Sequence, residues 1–160
     1  KDIFASDFFT EEKGSYFLKT ELGNFELKGK ADRIQILEDG SFDIVDYKTN
    51  SSPSRAEIEK GIKPQLQLLG LIAEFGGFEN INAGQVSSLS YLSLSSSNKR
   101  GYNNLKNYRI LMKDAEVGLK ELISKFEEFG TPYLFNPWAS AHTFNEYKQL
   151  SRQELWLEDI

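Results

Sequence analysis

The chain contains no cysteine and a single histidine, His142, in 160 residues, and each shortage removes a class of chemistry. Without thiols there is no disulfide, no thiolate zinc site and no iron–sulfur cluster, in agreement with a reducing compartment. A Ser-His-Asp triad would have to use His142, and neither a nucleophile elbow nor a Gly-rich phosphate loop is present, so His142 reads as a structural or surface residue. No apolar run approaches the roughly 18 residues of a membrane span, and no basic, apolar leader opens the chain, so a soluble protein with no membrane contact is expected. Basic residues are also in deficit, 19 against 24 acidic ones, for a net charge of −5. Non-specific affinity for nucleic acid depends on neutralised phosphates, so this balance disfavours a general electrostatic grip on DNA but not a local basic groove.

What is present suits one globular domain: 39% of residues are apolar and 13% aromatic. Residues 1–13, with Phe4, Phe8 and Phe9, read as a short amphipathic helix or the tail of one. Residues 15–21 alternate as a strand, Leu22-Gly23-Asn24 turns, and 25–37 follows as a long strand; with the next, three antiparallel strands precede residue 50. Pro53 or Ser54 starts a short helix ending near Gly61. A second helix begins at Pro64, carries Leu66, Leu69, Ile72 and Ala73 at helical spacing, and stops at Gly76-Gly77. Residues 86–94 read as a strand, with Tyr91 available for packing. The stretch from Lys99 and Arg100 to Asn104 is a polar loop, either a solvated tip or a DNA contact. Asp114 caps a long helix through Gly130 whose apolar face is Val117, Leu119, Leu122, Ile123, Phe126 and Phe129. The last 28 residues, with Tyr133, Phe135, Trp138, Phe144, Tyr147 and Trp156, are expected to wrap back over the core.

The informative segment is the hairpin around Glu38-Asp39-Gly40, an Asp-Gly turn between two alternating apolar runs. A three-residue loop with Gly40 in the left-handed position pairs Leu37 with Ser41 and sets Asp32 opposite Asp46. One face then carries Ile34, Ile36, Phe42 and Ile44 near the turn, and Asp32, Asp46 and Lys48 beyond them; the other carries Arg33, Gln35, Asp43 and Tyr47. A two-residue loop would instead set Asp32 opposite Tyr47 and separate the two acids onto opposite faces. At roughly 4 Å and an effective dielectric near 20, two carboxylates repel by about 4 kcal/mol. A divalent cation between them reverses the sign, and oxygen donors with positions left for water suit Mg²⁺ or Mn²⁺ rather than zinc. The alternative is a surface salt-bridge cluster. Gln65, in the first turn of its helix, is either an ordinary polar residue there or an amide that bonds a metal-bound water or orients an aspartate.

Gly29-Lys30-Ala31-Asp32-Arg33-Ile34, then Ile44-Val45-Asp46-Tyr47-Lys48-Thr49, then Pro64-Gln65-Leu66-Gln67-Leu68, resembles the PD-(D/E)XK nuclease superfamily and, more closely, its RecB-like nuclease domains. The tail Asn145-Glu146-Tyr147-Lys148-Gln149-Leu150-Ser151-Arg152, with Trp156, is similar to the end of the B subunit of AddAB-type helicase–nucleases. The resemblance implies an α/β (α+β) restriction-endonuclease-like core, a mixed sheet flanked by helices, as a single domain over 1–160. It implies a Mg²⁺-dependent (Mn²⁺ possible) DNA exonuclease acting on DNA ends or single-stranded DNA in the bacterial cytoplasm, with a helicase–nuclease partner subunit, in double-strand break repair. Asp32 and Asp46 would hold one or two metal ions with the Tyr47 backbone carbonyl; Lys48 would orient water or stabilise phosphate charge, and Gln65 would position water or metal. Glu21, at the end of the first strand, is a weaker candidate for an upstream acidic ligand.

Three features depart from the family pattern. No histidine precedes Asp32, Leu69 stands where many members have a tyrosine four residues after the glutamine, and the four-cysteine cluster of some RecB-like nucleases is missing. The chain opens at Lys1, and its only methionine is Met112, so it is expected to be a piece of a longer protein with a helicase-like region before it. A domain of this type retained for DNA binding or subunit docking is the alternative reading.

Overall fold

The computed structural model describes residues 7–49, 52–94 and 101–132. In chain order the elements are β1 (Asp7–Lys19), β2 (Asn24–Ile36), β3 (Phe42–Lys48), α1 (Arg55–Glu59), α2 (Gln65–Glu74), β4 (Val86–Ser93), β5 (Gly101–Asn104) and α3 (Tyr108–Glu127). The strands form one sheet in the order β1-β2-β3-β4-β5; β3 and β4 run parallel and the other neighbours antiparallel. A parallel pair needs a crossover connection, and the segment bearing α1 and α2 supplies it. This mixed sheet with helices is the α+β arrangement of the restriction-endonuclease-like fold.

The core lies between the sheet and α2, which also packs against α3. Ile34, Ile44 and Leu89 of the strands meet Leu66, Leu69 and Ile72 of the helix, each at most 3% exposed. Burial extends around most of α2, from Leu66 to Ala73 with only Leu68 partly open, so it is an interior helix rather than an amphipathic surface one. Its N-terminus is set by Pro64, whose carbonyl accepts the Leu68 N–H at 3.0 Å. Beyond its C-terminus, the Gly77 carbonyl accepts the Ser15 N–H at 3.0 Å and ties the helix exit to β1. The short α1 opens with a capping box between Ser54 and Glu57, and beyond its C-terminus Gly61 lies in the left-handed region at φ 68°.

Three expectations about elements are corrected. Residues 7–13 are strand, not helix: Phe8, Phe9 and Thr10 pair with Gln35, Ile34 and Arg33, because the long β2 offers an edge that satisfies their backbone groups; residues 1–6 lie outside the described residues. The polar loop after Arg100 is strand over Gly101–Asn104, paired with β4, while Lys99 and Arg100 lie outside the described residues. The long helix starts at Tyr108 rather than Asp114, after Asn107 at φ 57° turns the chain and its carbonyl accepts from Ile110 and Leu111. Its inward residues are Met112, Leu111, Leu119 and Ile123, whereas Val117, Leu122 and Phe126 are exposed.

Residues 1–127 cluster as one compact unit and 128–160 as another. Of the latter, residues 128–132 are described; Thr131 N–H donates to the Glu128 carbonyl at 3.2 Å, and Phe129 is exposed. His142 and the aromatic tail lie outside the described residues. Among those described, no helix is long and apolar enough to cross a membrane.

Candidate active site

The hairpin turn decides which side chains meet. Gly40 has φ 77°, its N–H donates to the Leu37 carbonyl at 2.9 Å, and the Leu37 N–H donates to the Ser41 carbonyl at 2.8 Å. This is the three-residue loop with glycine in the left-handed position. The β2–β3 register follows, Arg33 with Val45 and Ile34 with Ile44, and its next step sets Asp32 across from Asp46. The two-residue alternative does not form.

The backbone ladder stops one step short of that pair. In place of a further rung, Asp32 Oδ2 accepts the Tyr47 N–H at 2.8 Å. The strand also changes phase here. Leu27, Gly29 and Ala31 face inward along β2, and then Ile34 and Ile36 do, so alternation slips by one residue at Asp32 and Arg33. β1 slips at the same level, from Phe9 to Tyr16 and Leu18, and Glu11, across from Asp32, has φ 59°. Such irregularities re-aim a side chain at the cost of local pairing, and this one presents the half-buried Asp32 beside Asp46.

Asp46 is 1% exposed. Burial pushes its carboxyl above the ordinary range; Lys48 offsets part of this, and the Asp32 charge adds to it. Lys48 Nζ lies 2.7 Å from Asp46 Oδ2 and donates to Gln65 Oε1 at 3.1 Å. Gln65 opens α2, and α2 sits close to β2 because Gly29 has no Cβ: one built there would come within 2.9 Å of Leu69 Cδ2 and Ile72 Cδ1. Gly29 and Asp32 thus act together, the glycine admitting the helix that carries Gln65. Leu69, at the position where a tyrosine is common in RecB-like domains, fills the core at 3% exposure.

Tyr91 is a component that sequence reasoning assigned only to packing. The parallel register pairs it directly with Asp46, and Lys48 Nζ stands 5.7 Å from its ring centroid. Its hydroxyl is pushed up to about 12 by burial first and the Asp46 charge second. The hydroxyl lies beside the Leu66 amide without the geometry of a full hydrogen bond. The available signal was topological: a helical crossover after β3 makes the next strand a parallel neighbour, which brings a residue near Tyr91 alongside Asp46.

Glu21 does not join the group. It is exposed in the turn between β1 and β2, at the level of Asn24, eight residues along β2 from Asp32 and so about 26 Å away at ~3.3 Å per residue.

The donor set fits a hard cation. Asp46 Oδ2 is buried, and the group set against it is the Lys48 ammonium at 2.7 Å, an ion pair that leaves the carboxylate charge available to a cation. The Lys48 carbonyl accepts the Leu94 N–H on the β4 side, so by strand alternation the Tyr47 carbonyl faces the β2 side, past the last paired residues. Among the described residues no group of three or more His, Cys, Asp or Glu side chains is placed to hold a metal. A hard divalent ion held by two carboxylates and a carbonyl would take its remaining ligands from water.

The curated relatives are bacterial and functionally unassigned. The uncharacterized protein RC0550 of Rickettsia conorii is 35% identical over 79 residues, 49% of this chain and 9% of that protein. The uncharacterized protein RT0391 of Rickettsia typhi is 33% identical over 90 residues, 53% of this chain and 10% of that protein. The chain thus spans about a tenth of the length of the curated relatives it matches. Among solved structures, that of SSO0001 shares 16% identity at a TM-score of 0.44, over 70% of this chain and 50% of the other. The family match is far more extensive: it runs over residues 3–155 and takes in Asp32, Asp46, Lys48 and Gln65, and the chain belongs to the PD-(D/E)XK nuclease superfamily.

Proposed function

We propose that this domain is a Mg²⁺-dependent DNA exonuclease in which Asp32, Asp46 and the Tyr47 carbonyl hold the metal while Lys48 and Gln65 serve the reaction. The observation that supports it best is the Asp46–Lys48–Gln65 chain of contacts, with Asp46 buried and the Asp32 charge beside it. Bound there, the divalent ion supplies Lewis acidity and lowers the pKa of water. Lys48 offers three donors; Asp46 and Gln65 engage two directions, leaving one for a phosphate oxygen or the attacking water. Attack by the water oxygen on phosphorus, with a proton of that water released to solvent, breaks the bond to the leaving sugar oxygen, which departs with its electron pair and takes up a proton from solvent. The buried wall formed by Tyr91 keeps Lys48 directed toward this point.

The motif resemblance extends the reading to a helicase–nuclease that processes double-strand breaks in the bacterial cytoplasm, with a partner subunit. A second reading, a nuclease-like domain retained as a DNA-binding or docking scaffold, draws on the presence of only two clustered carboxylates among the described residues. Cleavage of linear duplex and single-stranded DNA with Mg²⁺ separates them. The nuclease reading expects activity in the wild type and none in Lys48→Ala or Asp46→Ala; equal activity in all three eliminates it, and binding without cleavage supports the scaffold.

A further inference from the structure

We propose that the outer face of the β1–β2 ribbon holds the single-stranded nucleic acid that leads to the catalytic centre. The proposal rests on the nuclease reading for where that strand ends. In a chain of net charge −5, this face gathers Lys13 and Lys19 from β1 and Lys28 and Lys30 from β2, all exposed, against Glu26 on the same face, Glu11 paired with Lys30, and Glu79 at the margin. Strand alternation puts Lys13, Ser15, Phe17 and Lys19 on one side of β1, and the register sets them across from Lys30, Lys28, Glu26 and Asn24.

Lys13 and Lys30 are therefore direct cross-strand partners. Like charges in that relation destabilise a sheet, and an anion between them removes the penalty. In the free protein, Lys30 is held by Glu11 and Lys28 by Glu26 at 3.1 Å, surface pairs that add little stability and yield readily to phosphate. Lys13, Ser15, Lys28 and Lys30, with the acids Glu26 and Glu79, line an open depression of about 610 Å³. Phe17, 62% exposed, stands among these lysines. An exposed aromatic between cations is the arrangement that stacks an unpaired base while the charges follow the backbone; bases within a duplex are closed to it, which favours a single strand.

The face reaches the site around the margin of β2: Lys30 precedes Asp32 by two residues, and Lys28 and Lys30 also edge a pocket of about 280 Å³ on the helix side of the strand, whose wall includes Gln65, the partner of Lys48. Lys13 to Lys19 spans about 20 Å at ~3.3 Å per residue.

The test measures binding of a fluorescein-labelled single-stranded DNA oligonucleotide by anisotropy in EDTA, over a range of salt. The variants are Lys13→Ala/Lys19→Ala/Lys28→Ala, Phe17→Ala, and a charge-matched control, Lys106→Ala/Lys113→Ala/Lys125→Ala. The ribbon triple variant is expected to bind about tenfold more weakly or worse, with a log–log salt slope shallower by about 2. Phe17→Ala should lose about fivefold or more, and the control should match the wild type. Hydrolysis of bis(p-nitrophenyl) phosphate with Mn²⁺, too small to reach the ribbon, should be unchanged in all of them. Equal affinity and slope in ribbon and control variants, no wild-type binding at low salt, or binding confined to duplex would overturn the proposal. Loss of the small-substrate hydrolysis in the wild type would instead reject the nuclease reading and leave the binding result standing.

Discussion

Asp32 reaches across the end of the β2–β3 ladder to take the backbone N–H of Tyr47 at 2.8 Å, so one carboxylate oxygen closes the sheet while its charge stays in the site. The two roles separate by substitution. Asp32→Asn keeps an acceptor for Tyr47 and should hold stability within about 0.5 kcal/mol while abolishing metal-dependent cleavage. Asp32→Ala removes the acceptor and should cost about 1 kcal/mol as well. Urea unfolding and a cleavage assay on the same preparations check both.

Asp46 should make the metal-free protein less stable as pH rises. Its folded-state pKa is raised, chiefly by burial, so the native state favours the protonated form. That contribution is complete below the unfolded carboxylate value and is lost as pH rises through the folded-state value. In EDTA, Asp46→Asn should therefore melt above the wild type at pH 7, with the gap narrowing as pH falls through the raised folded-state value and constant below about 4. Melting curves across that range decide it; a gap that widens toward acid would contradict the assignment.

The glycines at the two turns should behave differently. Gly40 has φ 77° and open space around it, so Gly40→Ala should cost about 1 kcal/mol of backbone strain and leave cleavage per folded molecule unchanged. A Cβ on Gly77 would overlap the Ser15 carbonyl oxygen and lie 2.9 Å from Ile72 Cγ2, pushing the exit of α2 off β1. Gly77→Ala should cost about 3 kcal/mol or more. Denaturant midpoints give both values.

Gln65 is exposed, and its amide oxygen is an acceptor for Lys48 Nζ. Gln65→Ala should leave the melting temperature in place yet lower the cleavage rate roughly tenfold to 100-fold by releasing the amine. An unchanged rate would reduce Gln65 to a helix-end residue.

Much of this arrangement was legible because it follows from local chemistry. The Asp-Gly turn announced the hairpin and left two loop lengths open, of which the three-residue form observed sets Asp32 against Asp46. Pro64 and Gly76 bounded α2 closely enough to put Gln65 at its first turn. The missed parts depend on tertiary partners. Residues 7–13 became strand because β2 was there to pair with them. Tyr91 entered the site through a parallel neighbour, a relation no short window contains. The phase slip at Asp32 was hidden for the same reason: alternation predicted the correct neighbours near the turn, but the inward residues before Asp32 are the odd-numbered Leu27, Gly29 and Ala31. Glu21 failed because the hairpin extends it away from the acids it was expected to join.

The claim that matters most is that the two acids across β2 and β3 hold a hard divalent ion. Mn²⁺ titration followed by electron paramagnetic resonance, on the wild type, Asp32→Asn and Asp46→Asn, measures this without DNA. The account predicts saturable binding in the wild type and a loss of about tenfold or more in each variant. Mn²⁺ binding that is equal in all three, or absent from the wild type, would contradict it.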